Sequence, residues 1–121
     1  MSKQIRSKVL PDKASVNSTQ EASRRVPIRR IGRVGLHAGE DSVAVEEPLE
    51  ICLAWPEPGA PDSDPARQGG RNIAVTMRTP GSDAELAVGF LFTEGILKSV
   101  DQVAEIIYAA DSGNRVTVAL Y

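Results

Sequence analysis

Apolar side chains recur at two different spacings along this chain, and the change of spacing marks its elements. Val43, Val45, Leu49, Ile51 and Leu53 keep a period of two over Asp41 to Trp55, the signature of a half-buried strand. Glu47 falls on the same register. Pro48 follows it and cannot donate to a ladder, which predicts an edge, a bulge or a break between two strands at that point. Val26 to Val34 alternates more loosely and predicts another strand, with Gly32 and Gly35 marking a bend and a loop over Leu36 to Glu40. Arg71 to Arg78 predicts a strand with Ile73, Val75 and Met77 on one face. Glu105 to Ala110 and Arg115 to Tyr121 predict a hairpin around a turn at Asp111 to Asn114.

Between these strands the spacing becomes helical. After the turn Thr79-Pro80-Gly81, Ser82 is placed to cap a helix, and Glu85 three residues later completes a capping-box pattern. Asp83 and Glu85 bring negative charge to the first turn, and Gly95 is a stop. Leu86, Phe90 and Leu97 form one face at 100° per residue, while Val88, Leu91, Phe92 and Ile96 cover most of the rest. A helix apolar nearly all round predicts a buried central element. Glu94 projects beside Ala87 and Phe90, so it either finds a partner within that surround or reaches solvent at the helix end. Ser99 predicts the cap of one further helical turn before the hairpin. The fold class expected is α+β, a small mixed or antiparallel sheet with one buried central helix.

Two stretches carry no period. Residues 1–24 are polar and aperiodic, which predicts a disordered arm. Residues 55–70 hold four prolines and three glycines, which predicts a flexible loop. The domain proper is then residues 25–121.

Composition narrows the function classes. A chain of 121 residues, 41% apolar and 25% charged, suits one globular domain. Net charge is −2, so no overall basic character argues for nucleic acid. The charge is uneven: residues 1–25 hold six Lys or Arg against two Asp or Glu, and the remainder eight against fourteen. Cys52 and His37 are the single members of their types. They allow no internal disulfide and no zinc site of the usual ligands, so no metal site is expected. No signal-peptide core or membrane-spanning run is present, and a cytoplasmic setting fits. The adjacent carboxylates Glu46 and Glu47 suit acid–base chemistry or a solvated kink. The turn before the helix offers N–H groups to an anion, but Asp83 and Glu85 occupy that field. No nucleophile–base pair, P-loop or dinucleotide motif is found, so the residues by themselves name no catalytic centre.

Three blocks in order, Glu46-Glu47-Pro48-Leu49-Glu50, Arg78-Thr79-Pro80-Gly81 and Gly89-Phe90-Leu91-Phe92-Thr93-Glu94-Gly95, resemble the formate dehydrogenase accessory sulfurtransferase family (FdhD type). The resemblance runs from about Arg25 to Tyr121. It implies a cytoplasmic homodimer that takes persulfide sulfur from a cysteine desulfurase. The sulfur goes to the molybdenum bis-guanine-dinucleotide cofactor of formate dehydrogenase. It also implies a second, cytidine-deaminase-like portion and a sulfur-carrying Cys-Gly-x-Cys-Gly loop beyond the region matched here. Cys52 does not correspond to that loop, so the chain looks like an N-terminal portion of the family and carries over no catalytic residue. Whether it is an enzyme stays open. Arg78, Glu94, Glu46 and Glu47 are the residues that could support a site from behind, and no cofactor is expected to bind this chain alone. The alternatives are a non-enzymatic binding or assembly module and a non-functional fragment. With one small sheet to cover its helix, the chain is expected to be marginally stable or to self-associate.

Overall fold

The structure is a computed structural model that describes residues 21–56, 71–109 and 113–121, together with the backbone of residues 6–9. Among the described residues, seven strands and one α-helix follow in the order β1 (Arg6–Val9), β2 (Ser23–Gly32), β3 (Gly35–Ala44), β4 (Glu47–Ala54), β5 (Arg71–Arg78), α1 (Asp83–Thr93), β6 (Val103–Tyr108) and β7 (Arg115–Leu120), with one 3-10 turn, Val100–Gln102, before β6. The α+β class with a mixed sheet and one helix is thus as the periodicities predicted.

Two sheets are present. Five strands pair in the order β1-β6-β7-β4-β5, while β2 and β3 form a separate two-stranded ribbon. In the larger sheet β4 runs antiparallel to β5 and parallel to β7, and β6 pairs antiparallel with β7. The register puts Leu49, Ile51, Leu53, Val116, Val118 and Ile106 on one face. Helix α1 covers that face with Ala87 and Leu91, and all of these side chains belong to one core. The predicted break before Pro48 is real: residues 45–46 separate β3 from β4, and Pro48 lies ahead of the segment Glu50–Ala54 that pairs with β7. There the missing N–H costs no bond to β7.

Several expectations change. Leu36 to Glu40 is not a loop but the first half of β3, paired with Pro27 to Ile31. A polar strand needs only a partner's backbone, and Gly35 at φ 118° lets the chain reverse tightly enough to provide one. Arg6–Val9 pairs in parallel with β6, and Ser23 and Arg24 open β2. Both stretches fall in the predicted disordered arm, and backbone pairing explains them where composition could not. The rest of that arm, and most of the 55–70 loop, lie outside the described residues.

The helix is placed centrally but is not enclosed. Ala87 and Leu91 are buried, whereas Phe92 is 59% exposed and Leu86 and Ile96 are each 38% exposed. One sheet covers one stripe, and the remaining apolar positions face outward. Likewise Val75 and Met77 of β5 are exposed, because the core-facing side of that strand is the one bearing Ala74, Thr76 and Arg78.

The C-terminal end of α1 has a local cause. Gly95 adopts φ 73°, with its N–H donating to the Phe92 carbonyl and that of Ile96 to the Leu91 carbonyl. These bonds form a Schellman motif that stops the helix where expected. The capping box expected at Ser82 does not form, since that side chain makes no cap hydrogen bond. It forms at Ser99 and Gln102 on the 3-10 turn.

Candidate functional site

Arg78 ends β5 with its side chain only 3% exposed. Burying a guanidinium in a domain of this size requires partners on most of its donors. The turn Thr79-Pro80-Gly81 supplies the main one by bringing Asp83 back over the strand end. Arg78 Nε donates to Asp83 Oδ1 at 2.9 Å and Nη2 to Oδ2 at 3.1 Å, a bidentate pair. Nη2 also donates to the Gly113 carbonyl at 3.0 Å and to Asn114 Oδ1 at 3.3 Å. Glu47 stands directly across from Arg78 in the β4–β5 register, its Oε2 3.9 Å from Nη1. One cation therefore ties together the start of β4, the entry to α1 and the turn between β6 and β7.

Of the predicted residues, the structure unites Arg78 and Glu47. Glu46 is exposed, and Glu94 is exposed at the C-cap of α1, outside any apolar surround. Asp83 has a part the sequence did not reveal. Its position in the first turn suggested a partner for the helix dipole, whereas its carboxylate is mostly turned to Arg78. The five-residue spacing across a Pro-Gly turn was the available signal.

A second polar group occupies the opposite face of the sheet. Glu50 on β4 accepts hydrogen bonds from Arg115 on β7 and from Asn72 on β5. The Arg115 bond holds the Glu50 carboxyl below its ordinary value, against the raising effect of burial, and Asn72 adds to the lowering. Cys52 follows on the same face, buried and without a disulfide. Burial pushes its thiol pKa up, and the nearby Glu50 charge pushes it further. A thiol held neutral in this way is a poor nucleophile. Nothing in the sequence pointed to the Glu50–Arg115 pair, because 65 residues separate them and only the parallel β4–β7 register sets them side by side.

The Asp83 carboxylate is engaged by Arg78 through two hydrogen bonds, and Glu47 adds a second negative charge beside the same guanidinium. The described residues hold no group of His, Cys, Asp or Glu suited to a metal ion, and no helix long and apolar enough to cross a membrane.

Comparison with known proteins gives this arrangement a context. Residues 64–120 match the model of the FdhD/NarQ family. A sulfur carrier protein FdhD from Anaeromyxobacter dehalogenans (strain 2CP-1) is 46% identical over 78 residues, which are 64% of this chain and 22% of that protein. The protein of the same description from Mycolicibacterium paratuberculosis is 46% identical over 76 residues, 63% of this chain and 22% of the relative. In three dimensions the chain is similar to a solved structure described as a formate dehydrogenase accessory protein from Desulfotalea psychrophila. That likeness has a TM-score of 0.64 at 25% identity and covers 83% of this chain and 36% of the other. The chain thus spans about a fifth of the length of the curated relatives it matches. Over residues 64–120, which hold Arg78, Asp83 and the whole of α1, this chain is similar to the FdhD/NarQ family.

Proposed function

We propose that this chain serves in sulfur delivery to formate dehydrogenase, as an N-terminal α+β portion of an FdhD-type sulfur carrier that binds and positions and does not itself hold the sulfur. The observation that carries this reading is that the matched segment is the one organised by the Arg78–Asp83 pair. In this reading a cysteine desulfurase is the donor, and the molybdenum bis-guanine-dinucleotide cofactor of formate dehydrogenase is the sulfur acceptor. The setting is the cytoplasm and the working form is a homodimer. Arg78 is committed to Asp83, Gly113 and Asn114, so it does not fit a contact with the acceptor's phosphates, and no step is assigned to it.

Cys52 favours a binding or assembly role over sulfur transfer by this chain alone. A persulfide carrier needs an accessible thiolate, and the Cys52 thiol is buried and held protonated. Two measurements test the reading. Incubation with a cysteine desulfurase and cysteine, followed by intact-mass spectrometry, is expected to leave the chain's mass unchanged. Stoichiometric gain of one sulfur on Cys52 would overturn the positioning role. Biolayer interferometry is expected to show the immobilised chain binding a desulfurase or formate dehydrogenase, and binding to neither would overturn the assignment to this pathway.

A further inference from the structure

Among the described residues, the tip of the β2–β3 ribbon and the outer side of α1 both expose large apolar side chains, and their charges are opposite. Residues 1–34 contain nine Lys or Arg against two Asp or Glu, and residues 35–121 contain five against fourteen. At the ribbon's tip this segregation is local. Arg29, Arg30 and Arg33 have no carboxylate in sequence until Glu40. Among them stand Ile31, 87% exposed, Val34, 90%, and Leu36, 58%. Arg30 reaches back to Asp41 at 3.5 Å. The tip therefore presents apolar side chains within positive charge.

The outer side of α1 has the reverse character. Glu85 stands among exposed Leu86, Phe92 and Ile96, and no Lys or Arg occurs from Thr79 to Leu97. Gly89 lies between Glu85 and Phe92 on this side, and a Cβ there would meet nothing within 4 Å. The result is an exposed apolar patch that carries the negative charge of Glu85 and no positive charge. Exposed apolar patches of this kind mark interaction surfaces, and opposite potentials select the partner and its orientation.

We propose that the ribbon tip of one copy docks on the outer α1 patch of a second copy, reciprocally, so that Ile31, Val34 and Leu36 meet Leu86 and Phe92 while Arg33 faces Glu85. A second copy is the occupant because both complementary surfaces belong to the same chain, which gives a closed two-fold pair. This rests on the homodimer reading and names the surfaces that build it.

Sedimentation equilibrium of the full chain over a concentration series tests it. The unaltered chain is expected to dimerise, and added salt to weaken the dimer. Val34→Glu and Phe92→Arg each change an exposed side chain, so thermal melting should show both variants folded. Each should weaken the dimer about tenfold or more, as for a buried anchor. Cross-linking reads the contact directly, because buried Cys52 leaves an introduced thiol as the accessible one. Copies bearing Val34→Cys mixed with copies bearing Phe92→Cys should join across the two positions under oxidant. A chain monomeric at every concentration overturns both the interface and the homodimer. A dimer indifferent to both substitutions, or linked only through position 34 to position 34, overturns the interface and leaves the homodimer standing.

Discussion

The end of β5 and the ribbon both carry arginine, and the structure treats them in opposite ways. Arg78 is surrounded by Asp83, Glu47 and the Gly113–Asn114 turn, with its side chain 3% exposed. Arg25, paired with Glu40 at 3.5 Å on the ribbon, is 80% exposed. Water screens the second pair and leaves it nearly neutral in stability. At the first, each group must satisfy the other because water cannot. The difference teaches that the ion pairs of this chain rank by burial and not by number, and that the body and the ribbon answer to different forces.

The largest expected effect lies in the buried pair. Arg78→Ala should destabilise the chain by about 3–5 kcal/mol, since it leaves Asp83 without its cation in a partly dry site. Urea unfolding followed by circular dichroism measures this. Replacing both partners, Arg78→Met with Asp83→Leu, should cost less than either single change. A single-variant loss below about 1 kcal/mol, the range of surface pairs, would erase the contrast drawn above.

Next comes the core under α1. Leu91 is fully buried, so Leu91→Ala should cost about 2–5 kcal/mol. The matching Leu36→Ala on the ribbon should fall within about 0.5 kcal/mol in a dilute monomer. Equal losses at the two positions would show the ribbon to be part of the packed body.

Glu50 lies between these extremes, half-buried and bound to Arg115. Its pKa is lowered in the folded state from the ordinary 4.5, chiefly by Arg115. Its stabilisation is therefore complete above the unfolded pKa and is lost as pH falls through the lower folded value. Urea midpoints taken from about pH 6 down to about pH 3 should drop more steeply for the unaltered chain than for Glu50→Gln. Parallel curves would remove Glu50 from the acid response.

The smallest effect sharpens the comparison from the ribbon side. Arg25→Ala removes an exposed ion pair and should shift stability by less than about 1 kcal/mol. A larger loss, seen as a lowered melting temperature in dilute solution, would mean that the pair holds the ribbon itself together.

Strand positions were legible in the sequence wherever large apolar side chains alternate along one face. Leu49, Ile51 and Leu53 on β4 and Val116 and Val118 on β7 announce themselves by alternation, and all face the core. The Gly95 stop and the Ser99 cap were legible because each depends on residues within a few positions. The ribbon's second strand was hidden: β3 is exposed throughout, so burial imposes no alternation on it. Strand β1 was hidden too, because its pairing with β6 uses backbone groups that every sequence carries.

The candidate site was half legible. Arg78 and Glu47 belonged to recognisable blocks, but their meeting follows from the β4–β5 register. Asp83 joins them through the turn geometry, and Gly113 and Asn114 through the fold of β6 and β7. Glu94 shows the reverse case. Helical periodicity placed it within an apolar surround that the tertiary structure leaves open to solvent.

By itself the sequence determined the α+β class, the C-terminal end of α1, the likeness to the FdhD/NarQ family and the absence of any zinc-ligand set of Cys and His in this chain. These rest on residue identity and on spacings of a few positions, where local sterics and hydrogen bonding decide. Only the tertiary structure decided which side of α1 and of β5 is buried, that Arg78 is closed in by Asp83 and by the β6–β7 turn, and that Glu50 meets Arg115. The physical reason is that burial and ion pairing depend on what stands opposite in space, and strand register, which no local spacing encodes, sets that.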